Sequence, residues 1–211
     1  EIVIVDDGSN DGSADILRAQ VEGLPGVRVF YQSRNQGKGA ALRRGFREAS
    51  GEVLLVQDAD LELDPDDIVK VAAPVLEGRA SAAYGSRFLT ARPRYLSTSY
   101  WANRFLTALT NILYGARVTD METCYKCIHR DVLTRFQIDS DRFDFEPEMT
   151  AKLLRLGIEI LEVPISYEPR SRAQGKKIGW RDGLNAVFTL LRYRRWSATR
   201  QDISPRPETA S

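Results

Sequence analysis

Glu52-Val53-Leu54-Leu55-Val56-Gln57-Asp58-Ala59-Asp60-Leu61-Glu62 is the stretch on which the reading of this chain turns. Val53 to Val56 is an unbroken apolar run of valine and leucine, the pattern of a strand buried on both faces of a sheet. It stops in two carboxylates one residue apart. In extended backbone residues i and i+2 point the same way, so Asp58 and Asp60 project together from the strand's carboxyl end. Open parallel α/β sheets bind their ligands at that edge. Two close carboxylates repel, and they shed the repulsion by taking up a proton or a cation. A hard divalent ion such as Mg2+ suits them, because it takes oxygen ligands and shares itself with substrate phosphates. Asp64-Pro65 then predicts a helix start, with Asp64 as N-cap and Pro65 at the first helical position. Alone, Asp-Ala-Asp equally describes a solvated acidic turn. The strand in front of it and the segments around it give it weight.

Upstream, Ile2 to Val5 is another short apolar strand ending in carboxylates, Asp6-Asp7-Gly8-Ser9, and a helix from about Ser13 to Val21 follows. Val27 to Tyr31 reads as a strand. Asn35-Gln36-Gly37-Lys38-Gly39 opens an Ala- and Arg-rich helix that ends near Ser50-Gly51. With the helix from Pro65 to Leu76 this is β-α-β-α-β-α, the signature of a parallel sheet with right-handed crossovers. Downstream, Ala80 to Phe88 is a strand ending in Gly85-Ser86-Arg87, and Asp120 to Arg130 is a compact polar segment. Tyr100 to Leu113 is an apolar helix carrying Trp101, Phe105, Leu106, Leu109, Ile112 and Leu113, which suits a core or a face for a partner or membrane. Met149 to Leu156 reads as helix closed by Gly157 at C′. Ile158 to Tyr167 is a late strand interrupted by Pro164, Arg170 to Lys177 a basic loop, and Trp180 to Trp196 an amphipathic helix. The fold class is α/β, a mainly parallel Rossmann-like sheet flanked by helices. One catalytic domain spans residues 1–196, and the Ser-, Pro- and Thr-rich residues 197–211 form a disordered tail.

A chain of 211 residues suits one domain with a substantial core. Its net charge of +1 gives no overall pull toward nucleic acid. Charge is unevenly spread, however: Glu168 to Arg200 carries nine Lys or Arg against two acidic residues. No apolar run approaches the roughly 20 residues of a spanning helix. Cys124 and Cys127 form a single C-x-x-C, and His129 is the one histidine, so a four-ligand Cys/His zinc site cannot be completed. Two reduced thiols are the simpler expectation.

Val5-Asp6-Asp7-Gly8-Ser9, Asn35-x-Gly37-Lys38-Gly39, Asp58-Ala59-Asp60, Gly85-Ser86-Arg87 and the Arg170-to-Lys177 loop occur here in one order and spacing. The combination resembles the family 2 glycosyltransferases of GT-A fold, within them the dolichyl-phosphate mannose and glucose synthase group, over residues 1 to about 195. The resemblance implies a further strand ahead of Glu1. It implies an inverting transfer of a hexose from a nucleotide diphosphate sugar, UDP- or GDP-linked, to a polyprenyl phosphate. Asp6, Asp7, Lys38, Asp58, Ala59, Asp60 and Arg87 would bind the nucleotide-sugar. Asp58, Asp60 and Glu62 would hold Mg2+ or Mn2+. Asp120, Glu122, Arg170, Arg172 and Lys177 would bind the acceptor, and Asp60, Arg87, Arg172 and Lys176 would carry catalysis.

Each piece also has a plainer account. Asp6, Asp7 and Ser9 suit turns and helix caps. Asn35 to Gly39 can cradle phosphate through backbone N–H groups at a helix start, or serve as a structural turn; it lacks P-loop spacing. Asp144, Glu146 and Glu148 are favourably placed near the positive end of a helix, and one of them could act as a general base. The basic loop could be ordinary solvated surface. Two further functions remain open: a family 2 transferase with a sugar hydroxyl acceptor, and a degenerate, non-catalytic domain binding a partner through the 100–113 helix. The expected location is cytoplasmic, peripheral at the inner face of the cell membrane. The Trp180–Trp196 helix and its arginines would contact lipid, and a homo-oligomer or membrane-protein partner is an option.

Overall fold

The structure is a computed structural model that describes residues 1–89, 98–168 and 179–198. The loop bearing Arg170, Arg172, Lys176 and Lys177, and the tail from residue 199, lie outside the described residues. In chain order the elements are β1 (Ile2–Asp6), α1 (Ser13–Gln20), β2 (Val27–Tyr31), α2 (Lys38–Glu48), β3 (Val53–Leu55), α3 (Asp67–Leu76) and β4 (Ala82–Ser86). Then follow α4 (Thr98–Tyr114), β5 (Lys126–His129), α5 (Arg130–Leu133), α6 (Phe145–Arg155), β6 (Ile160–Pro164) and α7 (Trp180–Tyr193).

The α/β reading holds, and the first half alternates as the periodicity predicts. The sheet is mixed. β1 and β2 pair in parallel, and the second sheet runs β3-β5-β4-β6, with β4 parallel to β6 and β5 antiparallel to both its neighbours. β5 lies inside the segment expected only to be compact and polar. It inserts centrally because the chain returns from α4 to the carboxyl edge of β4 and re-enters the sheet there. As β5 runs the opposite way, its start joins the ends of β3 and β4 at one edge.

β4 is buried along its whole length. Its alternation sends Ala82 and Tyr84 to one side, against Val56, Ile128, Phe145, Met149 and Leu153, and Ala83 to the other, against Val71, Val75, Tyr125 and Ile165. α4 and α7 share a third cluster around Leu106, Met121, Ala186 and Leu190. Pro164 is tolerated because β6 is an edge strand. Gly157, at φ +72°, ends α6 as expected, with its N–H bonded to Leu154 O and that of Ile158 to Leu153 O.

The start of α3 differs from expectation. The helix begins two residues later than Pro65, because Asp64 forms a turn of its own: its Oδ1 accepts from Asp66 N–H at 3.0 Å and its carbonyl from Asp67 N–H at 3.0 Å. Asp67, almost fully buried, then ties α3 to the segment after β6 by accepting from Ser166 N–H at 2.6 Å and from Lys70 at 2.6 Å.

Candidate active site

The carboxyl ends of β1, β3 and β4, the start of β5 and the first turns of α2 and α6 converge on one edge. At β1, Asp6 is buried and accepts from Ser9 N–H at 3.1 Å. Asp7 caps the loop before α2, accepting from Gln36 N–H at 2.8 Å, Gly37 N–H at 2.7 Å and Gln32 Nε2 at 2.7 Å. Both therefore have the turn-forming role their residue types allow, alongside any contact with a nucleotide.

The glycines of Asn35 to Gly39 have a packing reason. A Cβ on Gly37 would overlap the Asp141 carbonyl, and one on Gly39 the Ser140 carbonyl. The 140–141 backbone presses directly on the start of α2, and Ala40 N–H bonds to Asp141 O at 3.0 Å. The Gln36, Gly37 and Ala40 N–H groups of this loop are already bonded within the protein.

What this packing fixes is Lys38. Its half-buried ammonium sits 2.8 Å from Asp58 Oδ2 and 2.6 Å from Glu146 Oε1. Burial, the largest single influence, presses the ammonium to lose its proton, but the charges of Glu146 and Asp58 outweigh it and its pKa lies well above the usual lysine range. Cys124 lies beside the pair. Asp58 N–H bonds to its Sγ at 3.1 Å, and burial pushes the thiol's pKa far up, so the thiol stays protonated. Cys127 is buried and unpaired, its pKa pushed up to about 12 by burial.

On the other side of the edge, Arg87 and Asp120 pair with each other. Asp120 is fully buried and accepts from Arg87 N–H at 3.0 Å, Nε at 2.7 Å and Nη2 at 2.7 Å. Glu162 in turn receives the backbone N–H groups of Thr119 and Asp120. The Arg87 guanidinium lies 5.2 Å from the Tyr167 ring centroid. Between these two groups sit Glu122 and Lys126. Burial, reinforced by the charge of Glu146, pushes the Glu122 carboxyl upward, and burial pushes the Lys126 ammonium downward against the pull of Glu146 and Glu122. Lys126 is held by the carbonyls of Met121 and Thr123, with its Nζ 4.0 Å from the Tyr84 ring centroid. Glu122 Oε1, Thr123 Oγ1 and Glu146 Oε2 are buried with no hydrogen-bond partner among the described residues. Buried polar atoms without a protein partner are places where a polar ligand or a water can bond.

Asp58, Asp60 and Glu62 are half-buried, and Ala59 is exposed. Asp60 Oδ1 accepts from Glu62 N–H at 3.1 Å, while Glu62 Oε2 accepts from Tyr167 OH at 3.3 Å. The three carboxylates do not close into a three-ligand group, and no other His, Cys, Asp or Glu trio does so among the described residues. Asp58 and Asp60 offer the hard oxygen donors that Mg2+ or Mn2+ accepts, and such ions are commonly held by one or two carboxylates plus substrate phosphates. The donor set fits.

The carboxylates of α6 separate by role. Glu146 faces Lys38. Glu148 is wholly internal: it accepts from Asp139 and Ser140 N–H groups and from Lys152, which is itself bonded to Asp139 Oδ2 at 2.9 Å. Asp144 Oδ1 accepts from Arg142 N–H. Sequence reasoning did not separate Glu146 from its neighbours, and it gave Lys126 no role of its own.

A mixed sheet flanked by helices, with acidic and basic groups gathered at its carboxyl edge, defines the class of GT-A glycosyltransferases. The chain belongs to glycosyl transferase family 2, whose profile matches residues 1–136. It is 28% identical to an undecaprenyl-phosphate mannosyltransferase of Micrococcus luteus, over 95% of this chain and 86% of that one. It is also 28% identical to an undecaprenyl-phosphate 4-deoxy-4-formamido-L-arabinose transferase of Pseudomonas fluorescens, over 90% of this chain but 54% of that longer one. Among solved structures, glucosyl-3-phosphoglycerate synthase of Mycobacterium tuberculosis, in complex with Mn2+, UDP-glucose and phosphoglyceric acid, superposes with a TM-score of 0.66 at 20% identity. That match covers 91% of this chain and 68% of that one, and it establishes the shared fold.

Proposed function

We propose that this glycosyltransferase moves a hexose, with inversion, from a UDP- or GDP-linked donor to a polyprenyl phosphate. The observation that carries the reading is the convergence at one sheet edge. Half-buried Asp58 stands beside the ammonium of Lys38, Asp60 lies two residues on, and Arg87 and the orphaned oxygens of Glu122 and Glu146 belong to the same edge. Support for the acceptor comes from the relatives named for undecaprenyl phosphate, one of which matches along nearly the whole chain.

Asp58 and Asp60 would hold the Mg2+ or Mn2+, with Glu62 beside them. Bound there, the ion would neutralise charge on the departing diphosphate. Lys38 and Arg87 add fixed positive charge at the same edge. The orphaned carboxyl oxygens of Glu122 and Glu146 are suited to accept from sugar hydroxyls. One oxygen of the acceptor phosphate forms the new bond to the anomeric carbon as the bond from that carbon to the diphosphate oxygen breaks. That phosphate is already anionic at neutral pH and needs no proton removed. It needs cations to hold it, the role assigned to Arg170, Arg172, Lys176 and Lys177.

A lipid acceptor places the work at a membrane surface. Among the described residues no helix is long and apolar enough to cross one. α4 leaves Trp101, Phe105 and Ile112 in solvent, and the adjoining α7 leaves Trp180, Leu184, Phe188 and Leu191, with Arg181, Arg192, Arg194 and Arg195 alongside. Aromatic and aliphatic groups flanked by cations suit the interface of an anionic bilayer.

One observation favours a second reading. A buried carboxyl with an upward-shifted pKa and an empty oxygen, as at Glu122, is what a general base for a sugar hydroxyl requires. Incubating the protein with UDP- and GDP-hexoses, Mn2+ and either undecaprenyl phosphate or sugar acceptors separates the two. The proposal predicts an acid-labile lipid product, and a Glu122→Gln variant that keeps most of its activity. Transfer only to hydroxyls, with a 100- to 10,000-fold loss in Glu122→Gln as expected for a removed base, would replace it with the second reading.

A further inference from the structure

Lys38 joins two carboxylates that belong to different parts of the site, Asp58 at the end of β3 and Glu146 in the first turn of α6. We propose that Lys38 is a built-in counter-ion: it stands in for the divalent cation at Asp58 while the site is empty, and yields that carboxylate when the ion arrives with the donor. The inference rests on the reading of Asp58 and Asp60 as the metal ligands.

The two ends of the bridge are unequal. The Asp58 side chain is 33% exposed and that of Glu146 6%. An ion pair open to solvent is screened and weak, while one shielded from it is not. The Asp58 end is therefore the one that exchanges. The Glu146 carboxylate has no other hydrogen-bond partner among the described residues, so releasing it would strand a buried charge, whereas releasing Asp58 hands it to another cation.

The backbone of Lys38 cannot follow the ammonium. Gly37 and Gly39 on either side lie against the 140–141 backbone, and Ala40 N–H is bonded to Asp141 O. Movement is confined to the four-carbon stem, which is flexible. An ammonium freed from Asp58 but anchored on Glu146 stays at the edge, where the donor's diphosphate offers it a new anionic partner. Two consequences follow. The ion alone must displace a positive charge and binds weakly. Ion and nucleotide together satisfy all the groups and bind cooperatively.

The test is Mn2+ binding to the full chain, followed by electron paramagnetic resonance and calorimetry, with and without UDP or GDP. Lys38→Met should bind Mn2+ alone on the order of tenfold tighter than the wild type, since a competing charge is gone, and nucleotide should enhance its Mn2+ binding less. Lys38→Met/Glu146→Gln removes the stranded carboxylate and should show the same gain, so the test survives if the single variant fails to fold. Mn2+ affinity that is unchanged or weaker in the folded variants, while wild type binds Mn2+ and Asp60→Asn does not, overturns the counter-ion role and leaves the metal site standing. Mn2+ bound equally by wild type and Asp60→Asn overturns the metal-ligand reading, and this proposal with it.

Discussion

Replacing Asp120 with Asn tests whether the charge pair beside the site is a buried structural unit. Asp120 is fully buried, and three N–H groups of Arg87 converge on its two oxygens at 2.7 to 3.0 Å. Asn keeps the size but presents one oxygen and an NH2 that faces the guanidinium. At least one charge-assisted bond is lost, at about 1.5–3 kcal/mol. The Arg87 side chain, 13% exposed, keeps its charge but loses the buried carboxylate it pairs with. Removing one member of a buried pair costs about 3–5 kcal/mol. Against a total stability of roughly 5–15 kcal/mol for a domain, and a urea slope of about 2 kcal/mol per molar, the unfolding midpoint should fall by about 1.5–2.5 M. Arg87→Met/Asp120→Asn removes both charges and should recover more than half of that loss. Circular dichroism in a urea series reads both. A midpoint shift below about 0.5 M for Asp120→Asn, or a double variant no better than the single, would refute the argument that the pair is desolvated and mutually dependent.

Gly39→Ala should prevent cooperative folding or cost at least ~3 kcal/mol, because its Cβ would overlap the rigid Ser140 carbonyl; Gly45→Ala, whose Cβ meets only a Val5 methyl at 3.7 Å, is the tolerated control. Glu122→Gln should stabilise the protein at neutral pH by on the order of 1–2 kcal/mol. The native carboxyl titrates above its unfolded value, so the wild type loses stability as pH rises through about 4.5 and onward; thermal melts of the two proteins should coincide near pH 4 and diverge above it. Leu184→Ser/Phe188→Ser should abolish co-sedimentation with anionic liposomes without changing the melting temperature. Equal sedimentation of wild type and variant, or a wild type that is dimeric by light scattering and indifferent to lipid, would remove the membrane reading.

The elements legible in the sequence are those whose cause is local. β1, β2 and α2 were legible from short apolar runs, helical patterning and glycine at turns, and α6 from the αL position of Gly157. β5 was not, because its membership of the sheet is decided by its neighbours. Lys126 and His129 look like surface residues. Yet Lys126 is wholly internal, its ammonium held by two carbonyls against the Tyr84 ring. Missing that strand also hid the mixed character of the sheet. The start of α3 differs for the opposite reason: the local Asp-Pro signal reads as a cap, while the Asp64 side chain closes a turn one step earlier.

The site divides along the same line. That Asp58, Asp60 and Arg87 stand at one edge follows from each ending a strand, which sequence can show. Which carboxylate of Asp144-Phe145-Glu146-Pro147-Glu148 faces the site depends on helix phase, and the sequence reading began the helix at Met149, too late to assign it. In α6 residues two apart differ by about 200° around the axis. Glu146 and Glu148 therefore point to opposite sides, one to Lys38 and the other to Lys152. The same geometry gives one acidic segment two functions. Glu148 ties residues 139–140 down, those residues and Asp141 press on Gly37 and Gly39, and that contact fixes the Cα of Lys38 within reach of Glu146. A single helical turn thus supplies both a partner of the site's cation and the buttress that holds this cation in place, and neither can be read without the other.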